Sequence, residues 1–210
     1  MPTPVDLQRN LPARMEAANL SIVHEDEASP AVGRLYTEYR EAFGRPSVPG
    51  ILQCFATHPP LLEHMLGLAQ TMLFVEGALT RKQKELIATY VSATNACAYC
   101  ADSHGFTLGT QGGTPEMVSA AMRCDLDCTA FSLSEHALLR FVEKVTKDSQ
   151  SITPADTDNL RAFGWTDLQI SEAVHLTALF ACFNRVVSAF GLPSQNLLGP
   201  FAEPDARGAR

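Results

Sequence analysis

The sequence predicts an all-α protein, and three observations carry that prediction. Period-2 alternation of apolar and polar residues is almost absent, apolar residues recur at helical spacing, and Pro, Gly, Ser and Thr punctuate the chain where helices start and stop. The 210 residues are 46% hydrophobic and 19% charged, enough for a sizeable core and suited to one domain rather than two.

Residues 1–28 read as an irregular N-terminal arm, 29–199 as a single helical domain and 200–210 as a C-terminal tail. Ser29-Pro30 supplies a cap and a first-turn proline for a helix ending near Gly44. "RPSVPG" forces a loop. Residues 51–76 then form two helices broken at His58-Pro59-Pro60, since the residue before proline avoids helical geometry. Thr80 with Gln83 makes a capping box that opens "LTRKQKELIATYVSAT". Thr94-Asn95 ends that helix, with Asn95 as the N-cap of the next. Thr114-Pro115 starts a short helix, Ser134 a longer one to about Lys147, and Thr153-Pro154 another that stops at Gly164. Thr166 with Gln169 makes a second capping box, opening a helix to about Phe190. The segment after it, "GLPSQNLLGPFAEPDARGAR", is expected to be extended and to lie on a neighbouring subunit.

The two capping boxes align at an offset of 86 residues, which also pairs Gly105 with Gly191. An internal duplication in this frame sets Glu85, Cys97, Cys100 and His104 against Ser171, Phe183, Val186 and Phe190, so only the first copy carries chemistry.

A net charge of -7 offers no basic stripe to a phosphate backbone, so nucleic acid is not an expected partner. Neither a signal peptide nor an apolar run of bilayer length is read, and a cytoplasmic location without membrane partners follows as the expectation. There the six cysteines serve as buried apolar residues, metal ligands or redox groups rather than structural staples. Cys54 and Cys182 sit in apolar runs and read as core.

"NACAYCADSHG", residues 95–105, is the stretch that carries chemistry. Cys97, Cys100, Ala101, His104 and Leu108 share one helical face, so both thiols and the imidazole point the same way. The first turn of a helix favours a thiolate, because its N–H groups are free and its dipole is positive. If this helix folds back on the preceding one about Thr94-Asn95, Glu85 and His104 come level, and a carboxylate and an imidazole form a proton relay within reach of a thiol. Three readings stand side by side. The first is a redox dithiol, and the second a pair of core cysteines with Glu85 in an exposed pair with Arg81. The third is a zinc site built on Cys97, Cys100 and His104 with Cys124 or Cys128. Phe55, Leu66, Met72, Phe74 and Phe106 are candidates for the wall of an apolar cavity.

The pattern Glu-x11-Cys-x-Tyr-Cys-x3-His, formed by Glu85, Cys97, Tyr99, Cys100 and His104, resembles the alkylhydroperoxidase D-like group of the carboxymuconolactone decarboxylase superfamily, in particular its peroxidase-related branch. The resemblance runs from about Pro46 to "FNRVVSAFGLP". It implies an all-helical, homo-oligomeric fold and a thiol peroxidase acting on hydrogen peroxide or organic hydroperoxides, with no cofactor and an external dithiol as reductant. It also implies that Cys100 is the peroxidatic cysteine, Cys97 the resolving one, and Glu85 with His104 the relay. Alkylhydroperoxidase D proper has a histidine where this chain has Tyr99, and the decarboxylases lack the cysteine pair. The helix dipole favours Cys97 as thiolate while His104 lies one turn from Cys100; a positioned base decides for Cys100. A protein disulfide reductase or thiol sensor of the same fold is the nearest alternative, and a non-catalytic zinc or interaction module the other.

Overall fold

The computed structural model describes residues 15–199; the start of the N-terminal arm and the whole 200–210 tail lie outside the described residues. Among the described residues all regular secondary structure is helical. The α-helices are α1 (Pro30–Phe43), α2 (Gly50–Phe55), α3 (Pro59–Ala69), α4 (Arg81–Thr94), α5 (Ala98–Thr110), α6 (Pro115–Met122), α7 (Leu133–Asp148), α8 (Pro154–Ala162) and α9 (Asp167–Phe190). A π-helical turn, Gln70–Phe74, prolongs α3.

The punctuation residues act as expected at most helix ends. Ser29 accepts the Val32 N–H ahead of Pro30, Gly44 closes α1 in the left-handed conformation, and both Thr80/Gln83 and Thr166/Gln169 form reciprocal capping boxes. One start differs. α7 is capped by Ser132 instead of Ser134, because Ser132 has Glu135 three residues on to return the bond: the Ser132 N–H donates to Glu135 Oε2 at 2.8 Å.

α4 lies at the centre, packed against α5, α6, α7 and α9, and every residue from Lys84 to Ser92 is buried. Lys84 is fully buried, and its Nζ is held by Glu172 at 2.6 Å and by the Val75 carbonyl at 2.8 Å. Glu172 also accepts the Leu79 N–H at 2.8 Å. This clasp ties the 75–80 loop and α9 to the turn of α4 that carries Glu85. A Cβ on Gly77 would land on the Glu172 carboxylate. Gly77→Ala is therefore expected to lower stability by about 1–3 kcal/mol, the usual cost of forcing atoms into a filled space, measurable by urea unfolding.

α9 is long and apolar enough to cross a bilayer, contrary to the sequence expectation. Here it is a core helix, with Leu176, Phe180, Phe183 and Val187 buried against α2, α4 and α7. Its exposed stripe runs Ser171, His175, Ala178, Cys182, Arg185. Cys182 is thus at the surface rather than in the core: a helix apolar on nearly every side gives no periodicity from which its faces can be phased. The 86-residue frame is not matched in the helices themselves, since α4 and α5 are broken at residues 95–97 while α9 runs unbroken through Phe183 and Val186.

Candidate active site

The break between α4 and α5 sets the dithiol. The Cys97 N–H donates to the Ser92 carbonyl and the Ala96 N–H to the Ala93 carbonyl, both at 2.9 Å, with Ala96 left-handed at φ 54°. This is a Schellman closure with alanine where glycine is usual. Cys97, the next residue, is itself the N-cap of α5, its carbonyl accepting the Ala101 N–H at 2.9 Å. Asn95 therefore ends α4 instead of capping α5. One residue closes a helix and the next opens another, which folds α5 tightly back along α4.

The fold-back brings Glu85 and His104 together. Glu85 Oε2 lies 2.7 Å from His104 Nδ1, and Glu85 Oε1 accepts from Arg81 Nε at 2.9 Å and from Arg81 Nη2. Glu85 is fully buried, so the exposed Arg81 pair expected of a surface helix is replaced by a buried three-member cluster. Burial pushes the Glu85 carboxyl up, but His104 and Arg81 outweigh it and hold it below the usual range. A buried carboxylate on Nδ1 fixes the imidazole tautomer and leaves Nε2 as its free nitrogen. The ring stands edge-on to Phe180, with centroids 4.6 Å apart, and Arg81 lies over Phe74.

Cys97 and Cys100 are 2% and 3% exposed, and both are free thiols. The Cys97 thiol is pulled down to about 6: the Cys100 sulfhydryl bonds to it, burial opposes, and the Cys100 backbone N–H, Ser188 and Asn184 add to the first effect. Cys100 is pushed well above the ordinary thiol range by donating to Cys97, by burial and by the charge on Cys97. The resting charge thus sits on Cys97, as the helix dipole favours. Access points the other way. Cys100 lines a cavity of about 430 Å³ together with His104, Glu85 and Arg81, whereas Cys97 is not on its lining.

Of the five wall residues expected from apolarity, Phe55, Leu66, Phe74 and Phe106 line this cavity; Met72 packs into the main core instead. Tyr99 also lines it. Burial pushes the phenol up, so Tyr99 is a neutral O–H group, and among the described residues its hydroxyl and Gln53 Oε1 are buried without a hydrogen-bond partner. Cys54 shares a small apolar cluster with Cys97, Tyr99 and Cys100, while Cys124 lies by Thr94 at 3.4 Å, at the end of α6. No three His, Cys, Asp or Glu side chains among the described residues are disposed to hold one metal ion.

Part of the site comes from segments the sequence placed elsewhere. Residues 195–198 lie on this chain's own α5: Leu197 and Leu198 donate their N–H groups to Asp102 at 3.0 and 3.1 Å, and Gln195 donates to Ser103 at 2.9 Å. Asp102 is 1% exposed, and a carboxylate that deep requires donors, which the strap supplies. Gln195 and Leu197 join the cavity lining, as do Met15 and His24 from the arm. Asp102 sits within "NACAYCADSHG" itself, and an acidic residue beside the reactive face of a buried helix was the signal for this contact. Asn184 and Ser188 of α9 carried no such signal.

A helical hairpin that presents a Cys-x-x-Cys pair and a carboxylate-bound imidazole to an apolar cavity defines a class of dithiol-bearing all-α domains. The sequence model of the carboxymuconolactone decarboxylase family matches residues 59–143. The structure is similar to that of a peroxidase-related protein with an alkylhydroperoxidase AhpD core from Ralstonia eutropha JMP134, at 23% identity and a TM-score of 0.77, covering 89% of this chain and 97% of that one. A peroxidase-related protein from Silicibacter sp. TM1040 matches at 26% identity and 0.73, covering 83% and 92%. A variant of the debrominase Bmp8 in complex with 2,3,4-tribromopyrrole matches at 16% identity and 0.69, covering 85% and 93%. No curated protein sequence matches significantly. Over residues 59–143 the chain is thus similar to the carboxymuconolactone decarboxylase family, and its fold is similar to that of these peroxidase-related proteins.

Proposed function

We propose that this chain is a thiol-dependent peroxidase that reduces hydrogen peroxide or organic hydroperoxides through a Cys97–Cys100 dithiol and disulfide cycle. The observation that carries the reading is Cys100 on the lining of an apolar cavity beside a histidine whose Nδ1 is bonded to buried Glu85. In the first step His104 takes the Cys100 proton and the sulfur attacks the O–O bond. Cys100 becomes a sulfenic acid, and the leaving alkoxide or hydroxide takes the proton back from His104 as alcohol or water. Next the Cys97 thiolate attacks the sulfenic sulfur and expels hydroxide, which solvent protonates, leaving a disulfide. An external dithiol of unassigned identity then reduces the disulfide and is itself oxidised. The two sulfurs divide the work: Cys100 has the cavity and the base, and Cys97 already carries the charge that the second step needs. A cytoplasmic setting, where thiols stay reduced, and a homo-oligomeric state belong to the same reading.

The test is thiol titration before and after one equivalent of hydrogen peroxide or a small organic hydroperoxide. Loss of two thiols per chain, and none in Cys100→Ser, is expected. Unchanged thiols in the native protein would overturn the reading.

One observation favours a second reading, a disulfide reductase or thiol sensor of the same fold. A thiolate resting on the N-cap cysteine of a Cys-x-x-Cys helix is the arrangement that thiol–disulfide exchange uses. Measuring the reduction potential beside the peroxide rate separates the two, since exchange predicts a low-potential dithiol with poor peroxide kinetics.

A further inference from the structure

Both sulfurs of the dithiol are enclosed, Cys97 at 2% and Cys100 at 3% exposure. The cavity of about 430 Å³ on which Cys100 lies has room for a small hydroperoxide. Reducing a disulfide demands more, because an incoming thiolate must reach one sulfur of the bond and form a mixed disulfide with it. A dithiol carried on a protein has no such approach while the wall is in place. One part of that wall is neither helical nor fastened along its length: residues 193–198, which follow α9 and contribute Gln195 and Leu197 to the lining.

This strap is anchored at one end and latched at the other. Gly191, left-handed at φ 78°, and the Leu192 N–H, which donates to the Val187 carbonyl at 3.2 Å, close α9; the Leu192 side chain is buried in one cluster with Cys97, Tyr99 and Cys100. Beyond it, among the described residues, every hydrogen bond that ties 193–198 to another element ends on Asp102 or Ser103 of α5. Each Asp102 oxygen takes one N–H, from Leu197 and from Leu198, and a Cβ on Gly105 would lie 2.9 Å from Leu198 Cδ1. A buried carboxylate suits a latch. Asp102 is 1% exposed with the strap in place, and when the strap lifts, water takes over both N–H positions, so opening strands no unpaired charge. Asp102 and Ser103 stand between Cys100 and His104 in the sequence, which puts the latch on the helix that carries the reactive groups.

We propose that residues 193–198 are a hinged wall of the dithiol cavity, latched by Asp102, whose release admits a protein-borne dithiol to the Cys97–Cys100 disulfide, while hydroperoxides react with the wall closed. The role of the wall in turnover rests on the peroxidase reading. One thiolate of the reductant bonds to the Cys100 sulfur, the S–S bond breaks, and Cys97 leaves as a thiolate. The second thiol of the reductant, giving its proton to solvent, then displaces Cys100. The reductant ends as a disulfide, and the Cys97–Cys100 pair is reduced with protons drawn from solvent.

The test is alkylation of the reduced, full-length protein by two reagents, iodoacetamide and a maleimide borne on a long polyethylene glycol chain, with Cys100 followed by peptide mass spectrometry in a Cys97→Ser background. Cys100 is expected to react with iodoacetamide far faster than with the bulky maleimide. Asp102→Asn keeps the shape but loses one of the two acceptors, and should raise the maleimide rate about tenfold, the effect of losing one hydrogen bond to a charged group. The iodoacetamide rate should stay within about twofold, since the unlatched wall is not what admits a small reagent. Leu198→Ala, which loosens the strap without touching the buried carboxylate, should shift the ratio in the same direction and keeps the test decisive if Asp102→Asn does not fold. Cys54 is the internal control: it is 2% exposed, in the same cluster as Cys100 but off the cavity lining. A maleimide rate unchanged in both variants, or a gain that Cys54 shares in full, overturns the proposal. No peroxide enters this measurement, so a protein inert towards peroxide removes the peroxidase reading alone, and an unmoved ratio in an active protein removes the hinged wall alone.

Discussion

Glu85→Leu is expected to destabilise the protein by about 3 kcal/mol, the lower end of the cost of breaking a buried ion pair by deleting one partner. The lower end applies because Arg81 and His104, though stripped of their common acceptor, each keep a side chain 20% exposed and can recover some water. For a chain of this size that loss lowers the melting temperature by roughly 6–12 °C. Glu85→Gln keeps the shape and one acceptor, so it should fold better than Glu85→Leu yet still lose activity. Without the charge His104 loses the group that fixes its tautomer, and a general base contributes roughly 10²–10⁴ in rate. The pH dependence has a definite sign. Because the folded Glu85 carboxyl is held below its ordinary value, its contribution is fully present above the unfolded value of about 4. It is lost as the pH falls through the depressed folded value. Acid unfolding should accordingly be steeper in the native protein than in Glu85→Gln, and thermal melts between neutral and acidic pH measure the difference. Equal acid sensitivity would mean that Glu85 carries no charge in the native state.

The helical frame was legible because capping depends on residues three apart and on proline and glycine, which are local in sequence. Thr80 with Gln83, Thr166 with Gln169, and Ser29-Pro30 are read without knowing what packs where. The level of Glu85 with His104 was legible for a related reason: in a tight helical hairpin, equal distance from the turn is equal height. What could not be read depends on burial from a distant element. Arg81 at four residues from Glu85 looks like a surface pair in any sequence, and only the covering layer of α9 and the π-helical turn makes it part of a buried cluster. Cys182 was misplaced because α9 is apolar on nearly all sides, and the strap was misplaced because Asp102 gives no hint of which backbone will satisfy it. Asn184 bonds to Ser92 and Asn95, at the turn that sets the dithiol, from about ninety residues away in sequence, beyond any local pattern.

Cys97→Ser is expected to react with one equivalent of peroxide per chain and then stop, while Cys100→Ser does not react at all. The asymmetry follows from the division between charge and access. Cys97 holds the resting charge, through the Cys100 sulfhydryl first and then the Cys100 N–H, Ser188 and Asn184, but it is not on the cavity lining. Cys100 lines the cavity with His104 one turn away, yet rests protonated. A thiolate without access cannot meet the peroxide, whereas a buried sulfhydryl with a positioned base needs only to give up a proton. In Cys97→Ser the first step remains, and no thiolate is left to resolve the sulfenic acid, which should persist long enough for trapping by a carbon nucleophile such as dimedone. Loss of the neighbouring negative charge should also lower the Cys100 thiol towards its ordinary range, since that charge is among the causes that raise it. The single turnover is therefore expected to proceed at a rate no slower than the first turnover of the native enzyme, measured by stopped-flow peroxide consumption. The opposite pattern, with Cys100→Ser taking one equivalent and Cys97→Ser none, would make the charged sulfur the attacking one and assign resolution to Cys100.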